Sequence, residues 1–162
     1  MKSTMEQETQ NLRIPLADRD FPASPRRVGE VMTRDAITLN PEQSFAEVVG
    51  LMANRPFHHV LVVDGEERLH GVISDRDVLR AFSRIPDWNK MSVSQIMTRN
   101  SITTTPDSLI SVALRTMLDK RINCLPVVDG DGRICGILTS TDLLRAYEIV
   151  QDLIETYFPA IK

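Results

Sequence analysis

Apolar residues recur along this chain with two different spacings, and the spacings alternate in the same order twice. Val60–Val63 and Leu69–Ile73 are short apolar runs joined through Asp64-Gly65, a combination that predicts two strands closed by a tight turn. Leu125–Val128 and Ile134–Leu138 repeat that arrangement around Asp129-Gly130. Ahead of each pair the spacing changes to that of a helix. Phe45, Val48, Val49 and Met52 fall on one face of a helix begun at Ser44, and Ser44 with Glu47 has capping-box spacing. Ile110, Ala113, Leu114 and Met117 form the matching stripe in the other half. Short strands at Ala36–Leu39 and Ser101–Thr104 precede these helices, while further helices follow the hairpins at Asp75–Phe82 and from Thr141 onward. Each half therefore reads strand–helix–strand–strand–helix.

The halves are copies. Shifted by 65 residues, Val28–Phe82 lies on Val93–Tyr147 without a gap and 18 of 55 positions are identical, against about 3 expected from average composition. One copy is too small to hide the open face of its own sheet. Two copies packed sheet against sheet cover both faces, which predicts an α+β fold with a pseudo-twofold axis. Residues 83–92 join the copies, and residues 148–162 extend the last helix. Residues 1–27 are a polar extension with Pro15, Pro22 and Pro25, expected to be partly disordered.

Composition narrows the function. A net charge of −3 argues against a nucleic-acid platform, and the basic pairs Arg26-Arg27 and Lys120-Arg121 read as solvated faces. No apolar run approaches the ~20 residues that a membrane helix needs, and the polar N-terminus has no secretion-signal pattern. A cytoplasmic protein is expected. Cys124 and Cys135 flank a hairpin at offsets that do not oppose them, so neither a disulfide nor a metal set is expected. Gly130-Asp131-Gly132 with Gly136 is turn chemistry rather than a dinucleotide fingerprint. His70 lies on the returning strand, and His58 and His59 are expected on opposite faces of an extended segment, a poor basis for a metal site.

Three marks occur in both copies: an opening Val31-Met32-Thr33 or Ile96-Met97-Thr98, a central Val-Val-Asp-Gly at 62–65 or 127–130, and a closing glycine motif. The last reads Gly71-Val72-Ile73-Ser74-Asp75-Arg76-Asp77, then Gly136-Ile137-Leu138-Thr139-Ser140-Thr141-Asp142. With these marks in order, the chain resembles the tandem cystathionine beta-synthase (CBS) domain pair, or Bateman module, over Val28–Tyr147. The resemblance implies a regulatory module that binds AMP, ADP, ATP or a similar adenosyl ligand in clefts between repeats. S-adenosylmethionine and NAD fit the same ribose contact.

Ser74 or Thr139 ends a strand and starts a helix, with Asp77 or Asp142 on its first turn. An ionised carboxylate there can accept hydrogen bonds from both vicinal hydroxyls of a ribose, and the family's ribose-holding acid occupies this place. The same spacing is that of a capping box, and the two roles can coexist. The resemblance further implies that Arg76 and Thr141 belong to the ligand-binding set, with Thr33 and Thr98 near ribose or phosphate. Ile37 and Ile102 wall the base or serve as plain core. In nucleotide-binding members, the positions of His58-His59 carry a His-Arg pair near phosphates. The second copy has uncharged Asn123 and Cys124 there, so the two clefts are expected to differ. Leu143, Tyr147, Val150, Ile154 and Tyr157, widened by Leu153 and Phe158, make a stripe that either packs on the chain's own core or pairs two copies into a homodimer. A ligand-free scaffold is the competing function. No nucleophile is paired with a base, so catalysis is not expected, and the regulated partner would be a separate protein.

Overall fold

Ser44 and Glu47 do cap a helix: the Glu47 N–H donates to Ser44 Oγ while the Ser44 N–H donates to Glu47 Oε2 at 2.8 Å. The structure, a computed structural model, describes residues 24–84 and 87–157. The expectations for residues 1–23, Pro86 and Phe158 lie outside the described residues. Helix α1 (Val28–Val31) opens the first half, followed by β1 (Thr38–Leu39), α2 (Phe45–Asn54), β2 (His59–Val63), β3 (Leu69–Ser74) and α3 (Asp75–Arg84). After a 3-10 turn at Trp88–Lys90 come α4 (Val93–Ile96), β4 (Thr98–Arg99), α5 (Ile110–Lys120), β5 (Cys124–Val128), β6 (Ile134–Thr139) and α6 (Ser140–Tyr157).

The hairpins β2–β3 and β5–β6 are antiparallel with matching registers, Leu61 opposite Val72 and Pro126 opposite Ile137. Cys124 pairs with Thr139, well along β6 from Cys135. Leu61, Val72, Cys124 and Ile137 form the apolar layer between the two sheets. The first sheet runs β1-β2-β3-β4. In the second, the outer rows shrink to single bridges, Thr104 beside Val127 and Thr33 beside Ile137. The strand expected at Ser101–Thr104 is therefore reduced to that one parallel bridge.

The structure also decides which residues complete which half. Strand β4 belongs to the second copy, yet it pairs with β3 of the first. Thr33 of the first copy exchanges two backbone hydrogen bonds with Ile137 of the second, both 2.9 Å. Packing follows the same exchange. Val93 and Met97 sit in the first core with Phe45, Val60 and Ile73, whereas Val28 and Met32 sit in the second with Leu125, Val127 and Leu138. Each buried Val or Met is worth about 1.5–3 kcal/mol, so each half depends on a segment lent by the other. The glycine of each closing mark makes room for this crossing. A Cβ on Gly71 would stand 2.7 Å from the Thr98 carbonyl oxygen, and one on Gly136 would stand 2.5 Å from that of Thr33.

Candidate functional site

Each closing mark ends a strand and starts a helix without a break, so the first-turn acid folds back on the residue at the junction. Asp77 Oδ2 accepts the Ser74 N–H at 2.9 Å and the Ser74 hydroxyl at 2.6 Å. Asp142 Oδ2 accepts the same pair from Thr139, at 2.7 and 2.6 Å. Both acids are thus capping residues. Their other oxygens differ. Asp142 Oδ1 accepts the Thr33 hydroxyl at 2.9 Å, and the residue is only 5% exposed. Among the described residues, Asp77 Oδ1 meets only the Arg80 guanidinium, at 3.5 Å, and Thr98 makes no hydrogen bond to it. Thr98 is the counterpart of Thr33, so the bond that seals one acid is missing at the other.

Beside Asp77 lies a cavity of about 540 Å³. It gathers Ser74, Arg76 and Asp77 from the first copy with Thr98 and Ile102 from the second. His58, His59, Asn123 and Cys124 all line it as well. This corrects two expectations: the His pair and the Asn-Cys pair do not distinguish two clefts, and His58 and His59 border the same space. The pseudo-twofold axis brings the two strand starts together, with matched backbone bonds from Asp75 N–H to the His58 carbonyl and from Ser140 N–H to that of Asn123, both 3.1 Å. Of the remaining expected residues, Thr33, Thr139 and Asp142 cluster around the sealed acid, Thr141 is exposed on the first turn of α6, and Ile37 packs against the first core. Its counterpart Ile102 is 40% exposed and offers an apolar wall.

Electrostatics divide the cavity. Burial pulls the His59 pKa below 6.5, opposed by the Asp75 carboxylate, so its imidazole favours the neutral form. His58 is solvent-facing, with Nδ1 3.4 Å from Asp75 Oδ2. The Cys124 thiol is pushed up to about 12, first by burial and then by the Asp77 charge, so it stays protonated and unreactive. Arg121 also lines the cavity. Read from the sequence as part of a solvated pair, it ends α5 in the left-handed conformation with φ 54°. Its place just ahead of Ile122-Asn123, at a predicted helix end, was the available signal.

The two interlocked copies around this cleft define the class of protein, and the comparisons give its family. The CBS domain family matches twice, over residues 28–84 and 93–149. The chain belongs to the CBS domain family. It is 33% identical over 119 residues to an uncharacterized protein of Methanopyrus kandleri, a match covering 73% of this chain and 61% of that one. It is 32% identical over 120 residues to an inosine-5'-monophosphate dehydrogenase of Methanocaldococcus jannaschii, of which the match spans 23%. The chain thus spans less than two thirds of either relative. Among solved structures, the CBS domain pair of protein MJ0100 in complex with 5'-methylthioadenosine and S-adenosyl-L-methionine superposes with a TM-score of 0.68 at 30% identity, covering 75% of this chain and 98% of that one. CBSX2 in complex with AMP gives a TM-score of 0.71 at 26% identity, covering 78% and 99%.

Proposed function

We propose that the chain is a cytoplasmic regulatory module that holds an adenosine-containing nucleotide in the Asp77 cleft. The observation that carries this reading is Asp77 itself. Its Oδ2 is fixed by Ser74, its Oδ1 has among the described residues only a long approach from Arg80, and it stands in the wall of a 540 Å³ cavity, within the ~300–1,000 Å³ range of small-molecule sites. The ribose hydroxyls bond to Asp77, with Thr98 in reach. Ile102 and Val72 flank the base. Arg76, Arg121 and His59 supply donors for phosphate, which favours AMP, ADP or ATP over ligands that share only the ribose. The bound AMP, 5'-methylthioadenosine and S-adenosyl-L-methionine of the similar structures support the adenosyl class. A protonated Cys124 fits binding rather than catalysis.

The same reading includes a homodimer. Leu79 on α3 and Leu144 on α6 occupy equivalent positions and are each 69% exposed, so the pseudo-twofold face presents one leucine per copy to a second chain. Nucleotide binding then acts on a partner protein by favouring one geometry of the pair. Calorimetric titration with AMP, ADP, ATP, S-adenosylmethionine and NAD tests the proposal. Saturable binding of an adenine nucleotide, weakened in Asp77→Asn, is expected; absence of binding with all five compounds overturns it.

A further inference from the structure

The cavity beside Asp77 has a neighbour. A second space of about 740 Å³ lies between α5 and α6, where Leu114, Met117, Leu118 and Tyr147 give it apolar walls. Arg76, Arg121, Ile122, Asn123 and Ser140 border both spaces. The two are therefore adjoining compartments with that ridge as their common edge. Polarity changes in order along the pair: Ser74, Asp77 and Thr98 at one end, two guanidiniums at the ridge, and aliphatic side chains beyond it. Among the described residues neither guanidinium forms an ion pair, so two uncompensated positive charges stand at the junction.

The first copy is built differently at the equivalent place. Under the 65-residue shift Arg121 falls on Pro56 and Arg76 on Thr141, so both cations are missing there. The rings of Phe45, Phe82 and Trp88 pack together across α2 and α3, with centroids 4.9–6.0 Å apart. The counterparts of Phe45 and Phe82 are Ile110 and Tyr147, which line the groove instead. The apolar groove, the paired cations and the unsealed acid thus belong to the same one of the two pseudo-equivalent clefts.

We propose that the ligand of this cleft is an adenylate carrying an apolar chain on its phosphate, the class to which acyl adenylates belong. The inference rests on the nucleotide reading of the Asp77 cleft. With the ribose on Asp77, the 5'-phosphate lies at the ridge with Arg76 and Arg121. A chain attached to that phosphate continues into the groove, where taking apolar surface out of water strengthens binding. Coenzyme A thioesters also join adenosine to an apolar chain, but their 3'-phosphate replaces a hydroxyl that Asp77 accepts and sets two negative charges together. An ester or anhydride at the 5'-phosphate keeps both ribose hydroxyls and leaves a negative charge for the two guanidiniums.

Calorimetry on the full chain with AMP, its methyl ester and its octyl ester tests this. The two esters carry the same charge and differ only in chain length. The octyl ester should bind about 10- to 100-fold more tightly than the methyl ester, since each methylene taken fully out of water is worth up to about 4-fold. Leu114 and Leu118 are 41% and 68% exposed on α5, so Leu114→Gln with Leu118→Gln should abolish most of that difference while affinity for the methyl ester holds. Nuclear Overhauser contacts from the octyl chain to the Leu114 and Met117 methyls of the native protein are a second readout that needs no variant. Equal affinity for the two esters, with AMP bound, overturns the proposal and leaves the nucleotide reading standing. A gain that persists in the double variant, or that varies with protein concentration, puts the chain elsewhere or on a second copy and overturns it equally. If neither AMP nor its esters bind, the nucleotide reading falls and the proposal with it.

Discussion

Asp77 and Asp142 spend one carboxylate oxygen identically, on the start of their own helices, and it is the second oxygen that separates them. Asp77→Asn keeps an acceptor for the cap but removes the charge, so AMP affinity should fall about 5- to 150-fold, the 1–3 kcal/mol scale of a charged hydrogen bond. Asp142→Asn should leave affinity unchanged and lower unfolding free energy by about 1–3 kcal/mol, because it disturbs a buried, satisfied group. Calorimetry and denaturant unfolding check the pair. His59 gives a pH prediction whose sign follows from its depressed pKa. A nucleotide phosphate raises that pKa, so binding takes up a proton. Affinity for AMP should therefore rise as pH falls through the bound-state pKa and level off below the free-state value, itself under 6.5. The ligand-free fold runs the other way: its contribution from neutral His59 is complete above 6.5 and lost as pH falls through the depressed pKa. Titrations from pH 5 to 8 check this, with adenosine expected to be flat and His59→Asn expected to keep only the slope of the phosphate's own second ionisation, near a pKa of about 6. The sequence revealed both acids and the capping geometry they share. It could not reveal which one is sealed, because Thr33 and Thr98 are the same residue type in the same mark.

At the level of elements, the crossings at Gly71 and Gly136 set the geometry. Gly136→Ala forces its Cβ against the Thr33 carbonyl, and overpacking against backbone costs about 1–3 kcal/mol. Gly71→Ala meets the Thr98 carbonyl and the Met97 sulfur. It should cost a similar amount of stability and also weaken AMP binding, since Thr98 borders the cleft. Gly136→Ala should leave binding nearly intact. Chemical denaturation with parallel titration separates the two. Strands and helices were legible from apolar spacing to within a few residues, as at Leu69–Ser74 and Phe45–Asn54. The exchange of α1 and α4 between halves was not. Val28 and Val93 match under the 65-residue shift whether each opening segment packs on its own copy or on the other, so the repeat carries no information about the choice. The union of His58-His59 with Asn123-Cys124 was hidden for the same reason. Only the position of the axis decides it.

Across the whole molecule, the cores are complementary rather than independent. The full chain should melt in one calorimetric transition, and residues 1–84 expressed alone, lacking Val93, Met97 and β4, should melt cooperatively only at concentrations where two copies pair. Light scattering should find a pair of about 36 kDa, twice the 18.3 kDa chain; Leu79→Glu with Leu144→Glu should shift it to a monomer. The exchanged opening segments also bear on descent. A chain holding one copy could complete its core only by exchanging opening segments with a second molecule. Fusion made that pairing intramolecular and independent of concentration. It also ended enforced symmetry, since two identical chains must carry the same residue at both acids. Joined in one chain, the two acids can differ: Asp142 is sealed by Thr33 while Asp77 keeps one oxygen toward the cavity.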